Sequence, residues 1–239
     1  LELVNQYPYE FDASIPYYST GIHPWYIDEK RLDSDLQIIE SKLKESNCLA
    51  VGECGLDKRI DIPMDLQQAV FEKQLFLAQK YQKPVVIHCV AAFQELIGIT
   101  KKENITVPIL IHGFSKSEQL AKQLLDSGFY ISFGKYLLRN PELEFVFKNI
   151  PNDQFFLETD TIAESLEEVY TFAAKCKNIS ITLVNGTASI TPANLDGGST
   201  ASCGIASMTI SKSTFTCANL GVNSVTLTVM DTNGNTSTC

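Results

Sequence analysis

Five side chains able to bind a cation or move a proton directly follow short apolar runs. Ser19-Thr20-Gly21-Ile22 leads into His23, Leu49-Ala50-Val51-Gly52 into Glu53, and Pro84-Val85-Val86-Ile87 into His88. Ile109-Leu110-Ile111 leads into His112, and Phe155-Phe156-Leu157-Glu158-Thr159 into Asp160. These include all three histidines of the chain. Neutral imidazole and carboxylate together form the ligand set of zinc, manganese or magnesium. Two such ions about 3.5–4 Å apart activate a water and stabilise the leaving oxygen of a phosphoester. A single histidine in such a place is more often a hydrogen-bonded, partly buried residue. Glu53, His88, His112 and Asp160, repeated after four separate runs, favour a site.

The elements that must position these groups alternate. Strand-like runs at 48–52, 84–87, 107–111, 129–133 and 155–157 are separated by helical stretches. The clearest helix covers 64–81, with Leu66, Val70, Leu77 and Tyr81 on one face. Another opens with the capping-box pattern Ser115-Lys116-Ser117-Glu118 and stops at Gly128; a third surrounds 163–176. Strand and helix in repetition predict parallel strands joined by helical crossovers, either a doubly wound sheet or a (β/α)₈ barrel. No Gly-x-Gly-x-x-Gly follows a strand, which weakens the dinucleotide-binding form of the open sheet. In a barrel the C-terminal strand ends converge on one face, which carries the active site. Cys54, next to Glu53, points away from that face if the strand alternates. Lys58 and Arg59 read equally as phosphate contacts or surface charges, and Glu164, Glu167 and Glu168 as a solvated helix face.

The 239 residues carry 19 Lys and Arg against 28 Asp and Glu, a net charge of −9, with no basic block. That balance argues against coating nucleic acid by charge neutralisation and leaves open an enzyme that meets phosphate through metal ions. No run approaches the roughly 20 apolar residues of a membrane helix. Neither a membrane nor a stable protein partner is implied. Composition breaks near residue 181, after which only Asp196, Lys212 and Asp231 are charged. We therefore read two domains, 1–180 and 181–239. The second shows short alternating strands at 207–211 and 224–229 and a turn at 231–235. Three of the seven cysteines lie in it, which fits an oxidising compartment, whereas Cys48, Cys54, Cys89 and Cys176 are scattered as in a reduced, cytoplasmic protein.

Gly21-Ile22-His23-Pro24, Val51-Gly52-Glu53-Cys54-Gly55-Leu56-Asp57, Pro84-Val85-Val86-Ile87-His88, Ile111-His112-Gly113-Phe114-Ser115 and Leu157-Glu158-Thr159-Asp160 resemble, in order and spacing, successive signatures of the TatD family of metal-dependent hydrolases. The resemblance covers roughly residues 16–178. It implies a distorted TIM barrel, a two-metal centre of zinc, manganese or magnesium, and hydrolysis of phosphodiester bonds in DNA or a nucleotide, often as a 3′-to-5′ deoxyribonuclease. Carried over, Glu53 bridges the two metals and His88 and His112 complete the second metal site. Asp160 ligates the first and takes the proton of the attacking water, and His23 sits near the substrate phosphate. The family begins with a strand ending in His-x-His, and residues 1–16 contain no histidine. The resemblance thus places the first strand upstream of Leu1, and leaves the first metal only Glu53 and Asp160 and one ion at Glu53, His88 and His112. A small-molecule hydrolase of the wider amidohydrolase type is the near alternative; Glu53 in place of a bridging lysine favours the nuclease.

The tail resembles the Ig-like or hyalin-type repeats of secreted bacterial surface proteins, over less than one repeat. Cys203 with Cys239 is the preferred disulfide among its three cysteines. A secreted adhesion or scaffold module beside an inert barrel remnant is the other functional reading. The clash of compartments suggests two partial coding regions joined near residue 181.

Overall fold

A computed structural model describes residues 2–160, 165–176, 181–196, 199, 201, 203–221 and 223–238, with only the backbone of 174–176. The chain divides into two compact units, Leu1–Ile150 with Gln154–Ala173, and Pro151–Asp153 with Ala174–Cys239.

The first unit holds seven strands, β1 (Val4–Gln6), β2 (Tyr18–Thr20), β3 (Cys48–Asp57), β4 (Val85–Val90), β5 (Ile109–Ile111), β6 (Phe129–Phe133) and β7 (Phe155–Leu157). They lie side by side in sequence order, and every neighbouring pair is parallel. Helices α1 (Leu32–Lys42), α2 (Met64–Tyr81), α3 (Phe93–Lys102), α4 (Glu118–Asp126), α5 (Lys135–Arg139), α6 (Pro141–Asn149) and α7 (Leu166–Cys176) follow the strands from β2 onward. The sheet curls until Val4 and Asn5 of one edge and Phe155, Phe156 and Leu157 of the other line one cavity of about 960 Å³. This is a partial (β/α) barrel: among the described residues, β1 and β7 each pair on one side only.

Strand alternation sorts the two faces. Along β4, Val85, Ile87 and Cys89 are buried while Val86, His88 and Val90 are half-buried, as period-2 geometry requires. The expected runs at 129–133 and 155–157 coincide with β6 and β7. The strand expected at 48–52 continues to Asp57, carrying Glu53 within it rather than after it. No strand is expected before Ser19, yet Val4–Gln6 forms β1; its mixed, three-residue pattern is legible only through its pairing with β2.

Helix α2 has the predicted bounds, but its buried face differs. Gln67, Val70, Phe71, Gln74, Leu75, Leu77 and Ala78 are buried, whereas Leu66 and Tyr81 are half-buried. Two glutamines sit in that face because each closes a stretch of backbone. The Ile22 N–H donates to Gln74 Oε1 (2.7 Å), and Gln74 Nε2 donates to the Ile22 carbonyl (3.1 Å). The Asp57 N–H donates to Gln67 Oε1 (2.8 Å), and Gln67 Nε2 donates to the carbonyls of Asp57 (3.0 Å) and Ile62 (2.7 Å). Each amide thus stands in for a neighbouring strand at the residue before His23 and at the end of β3.

Ser117 rather than Ser115 caps α4, its hydroxyl accepting the Leu120 N–H at 3.4 Å. Gly128, with φ +83°, follows that helix's end as expected. Glu167 and Glu168 are exposed, as the solvated face requires, and Glu168 also accepts the Ser165 N–H while Ser165 Oγ accepts the Glu168 N–H, a capping box at the start of α7. Glu164 lies outside the described residues.

In the second unit β8 (Thr187–Ser189) pairs antiparallel with β10 (Thr214–Thr216). A second sheet has the order β12 (Thr236–Thr238), β11 (Leu227–Asp231), β9 (Ile205–Ile210). The turn expected at 231–235 joins β11 to β12, with the Gly234 N–H donating to the Asp231 carbonyl. Cys203 and Cys217 are free thiols; Cys239, the partner expected for Cys203, lies outside the described residues.

Replacing Gln67 or Gln74 by Leu leaves buried backbone groups unmatched, and each change is expected to lower unfolding stability by about 1–3 kcal/mol. Urea unfolding measures it.

Candidate metal centre

Glu53 owes its place to an irregularity in β3. Between Val51, opposite Val85, and Cys54, opposite Ile87, the strand carries one extra residue. Such a bulge re-aims a side chain and leaves a backbone group without its ladder partner. Here the Glu53 N–H donates to Asn5 Oδ1 of β1, which also accepts from Ser19 Oγ at 3.3 Å. Gly55 follows at φ +142°, and a Cβ there would strike the His88 carbonyl oxygen. Only glycine permits that approach. Beyond the bulge Cys54 is fully buried, as alternation predicts, and burial pushes its thiol up.

Four of the five expected residues come together. His23 is 5% exposed, and its Nδ1 accepts the Trp25 N–H at 3.2 Å. Its proton is therefore on Nε2, which faces Glu53 Oε2 at 3.8 Å. Burial, then the neighbouring His88 and His112, lower the His23 pKa to about 3, so this imidazole is neutral. The His23 and His88 ring centres are 4.3 Å apart.

His88 and His112 are held from opposite sides. His88 Nε2 lies 3.2 Å from Asp57 Oδ2. That oxygen also accepts the indole N–H of Trp25 at 2.7 Å, and Asp57 Oδ1 accepts the Arg59 N–H at 2.8 Å. Burial works against the Asp57 charge, but these donors hold its carboxyl below the usual range. Burial lowers His88 despite Asp57. The anion takes the His88 Nε2 proton and leaves Nδ1 bare. His112 is the mirror case: its Nδ1 faces Glu158 Oε1 at 3.7 Å, and Ser132 Oγ donates to Glu158 Oε2.

The two remaining nitrogens, His88 Nδ1 and His112 Nε2, meet at 3.3 Å, and His112 Nε2 is 3.6 Å from Glu53 Oε2. Burial opposes a charge on His112, but Glu158 and then Glu53 outweigh it and raise the pKa to about 9. A proton thus sits among these atoms. Burial pushes the Glu53 carboxyl up, His112 opposes, and Asp160 and Glu158 add to the rise.

Among the described residues no group of three or more His, Cys, Asp and Glu side chains is placed to hold a metal ion as it stands. Two of the donor separations are nevertheless those of ligands to one ion. Ligands about 2.0–2.1 Å from a tetrahedral cation stand roughly 3.3–3.4 Å from one another, against the 3.3 and 3.6 Å here.

Asp160 acts on this group at longer range, its charge bearing on Glu53, His88 and His112. It lines the same cavity as Glu53, His112 and Glu158, and its Oδ2 pairs with Lys135 Nζ at 3.4 Å. Lys58 pairs with Glu95. Asp57 and Glu158 belong to the motifs but carry no predicted role. Asp57 has a signal in parity, four residues from Glu53 within β3, an even step that keeps a strand residue on one face; Glu158 lies beyond the end of β7 and has none.

With this geometry in view, comparison with known proteins decides the family. The model of the TatD related DNase family matches residues 2–184. The chain belongs to that family. An uncharacterized metal-dependent hydrolase of Haemophilus influenzae is 35% identical over 154 residues, 60% of this chain and 58% of the relative. The uncharacterized metal-dependent hydrolase YabD of Bacillus subtilis is 32% identical over 165 residues, 67% and 62%. The chain therefore spans about 60% of the length of these curated relatives. The crystal structure of the TatD homologue YjjV from Escherichia coli superposes with a TM-score of 0.59 at 25% identity, covering 67% of this chain and 68% of that one. The TIM-barrel-like fold expected from the sequence is thus the fold of this TatD-family unit.

In the metal-free protein, ¹⁵N-histidine NMR is expected to show His112 titrating near pH 9, and lower in Glu158→Gln. Since this value lies above that of an exposed imidazole, His112 stabilises the fold fully below about pH 6.5 and loses that contribution as pH rises through 9.

Proposed function

We propose that the chain is a metal-dependent hydrolase of nucleic-acid phosphodiesters, a deoxyribonuclease working from the 3′ end. The observation that carries this reading is the convergence of His88 Nδ1, His112 Nε2 and Glu53 Oε2 at 3.3 and 3.6 Å. The name of the matching family and the names of the relatives as metal-dependent hydrolases support it.

Glu53, His88 and His112 would hold one divalent ion, and Glu53 with Asp160 would offer carboxylates to a second. A bound ion of this kind supplies a Lewis acid and an activated water. The residues of the chain do the rest. His23 presents its Nε2–H to Glu53 Oε2 at 3.8 Å, a polar face beside that carboxylate. Asp57 and Glu158 keep His88 Nδ1 and His112 Nε2 free of their own partners. Asp160, on the cavity wall, accepts the water's proton on a carboxylate oxygen, and Lys135 Nζ beside it meets the phosphate.

Elemental analysis after loading with Mn²⁺ or Zn²⁺, with a single-stranded DNA digestion assay, tests the proposal. The unaltered chain is expected to retain metal and shorten 3′ ends. Glu53→Ala, His88→Ala and His112→Ala are expected to lose both by more than about 100-fold, beyond the effect of removing a partner behind a ligand. Equal metal content and equal digestion in all four proteins would refute it.

A further inference from the structure

We propose that Trp25, with the tyrosines beside it, is a stacking platform for a nucleobase next to the phosphate at the histidine cluster. The inference rests on the nucleic-acid reading above.

Trp25 is the chain's one tryptophan, and 52% of its surface is open to solvent. An indole so exposed is ordinarily a mobile surface ring, but this one is fixed. Its Nε1–H donates to the buried Asp57 at 2.7 Å, and its backbone N–H to His23 Nδ1. Its ring meets His23 edge-on at 5.1 Å and His88 at 5.6 Å. The ring therefore extends the candidate centre outward.

Tyr26 follows directly, 42% exposed, with its ring 5.6 Å from His23. Tyr7, which lines the cavity with Glu53 and His112, stands 5.4 Å from Tyr26 and 5.5 Å from Tyr9. Tyr9 is 38% exposed and carries the Arg31 guanidinium 4.3 Å from its ring centre. Arg31 is itself paired with Asp35 at 2.9 Å and so stiffens the cluster rather than adding free charge. Open aromatic rings beside a phosphate-directed centre make up the chemistry that binds single-stranded nucleic acid without base reading. The overall charge of −9 fits this division: rings rather than a basic groove hold the strand.

Trp25 supplies its own signal. The full chain in EDTA is titrated with a thymidylate octamer and with an abasic octamer of equal charge, following fluorescence and, with labelled strands, anisotropy. The thymidylate octamer is expected to quench Trp25 and to bind about 10-fold or more tightly than the abasic one, the range of one base stack. Trp25→Ala is expected to abolish that difference. Trp25→Phe keeps a ring while losing the bond to Asp57 and is expected to retain most of it, which a purely structural role of the indole would not give. Octamers that bind alike in every variant overturn the platform and leave the phosphodiester reading standing. Failure of both octamers to bind overturns the platform, whereas the phosphodiester reading, in which metal ions meet the phosphate, stands or falls with the metal and digestion assay above. Quenching that grows with protein concentration alone assigns the face to a second copy of the chain and overturns the platform.

Discussion

The candidate centre depends on two glutamine side chains buried in one helix face. Gln74 closes the backbone at Ile22, which fixes His23 one residue later. Gln67 closes it at Asp57, whose carboxylate then orients His88 and Trp25. Each bond is worth about 1 kcal/mol net, yet each buried group left unmatched costs about 1–3 kcal/mol. The network is therefore held more by the penalty of breaking it than by the gain of forming it. Among the described residues only Thr20 Oγ1 is a buried side-chain polar atom without a partner.

From that anchor the geometry follows by opposition. Asp57 engages Nε2 of one imidazole and Glu158 faces Nδ1 of the other, so the two rings present unlike nitrogens to a common point. Glu53 reaches the same point because the β3 bulge re-aims it and Asn5 satisfies the freed N–H. The carboxylates behind the imidazoles set which atoms face inward, toward the point where a cation would take the place of the proton on His112. The arrangement is a centre in which ligands and their supports come from β3, β4, the ends of β5 and β7, and one helix that none of the ligands occupies.

Much of this was legible in the sequence, and the reason is periodicity. Apolar runs mark the strands that carry the polar side chains, although Glu53 and His88 lie within β3 and β4 rather than after them, and α2, β6 and β7 have the bounds that pattern predicts. Legibility failed where a role is set by tertiary contact. Gln67 and Gln74 carry no sequence signal of their role, because burial of an amide depends on the backbone group it meets. β1 is too short and too polar to carry a signal of its own. Asp57 and Glu158 were visible as residues, but their orienting role needs the distances to the rings. Asp160 lines the same cavity as Glu53 and acts on its charge, and its pairing with Lys135 is a tertiary contact that no strand pattern signals.

The central claim is that His88 Nδ1, His112 Nε2 and Glu53 Oε2 define one cation position. An anomalous difference map from a crystal soaked in Mn²⁺ tests it most directly. The account predicts a peak within bonding distance of those three atoms, with Asp57 and Glu158 still behind the rings. A peak bonded to His88 Nε2 or His112 Nδ1, or no peak among the three residues at saturating Mn²⁺, would contradict it.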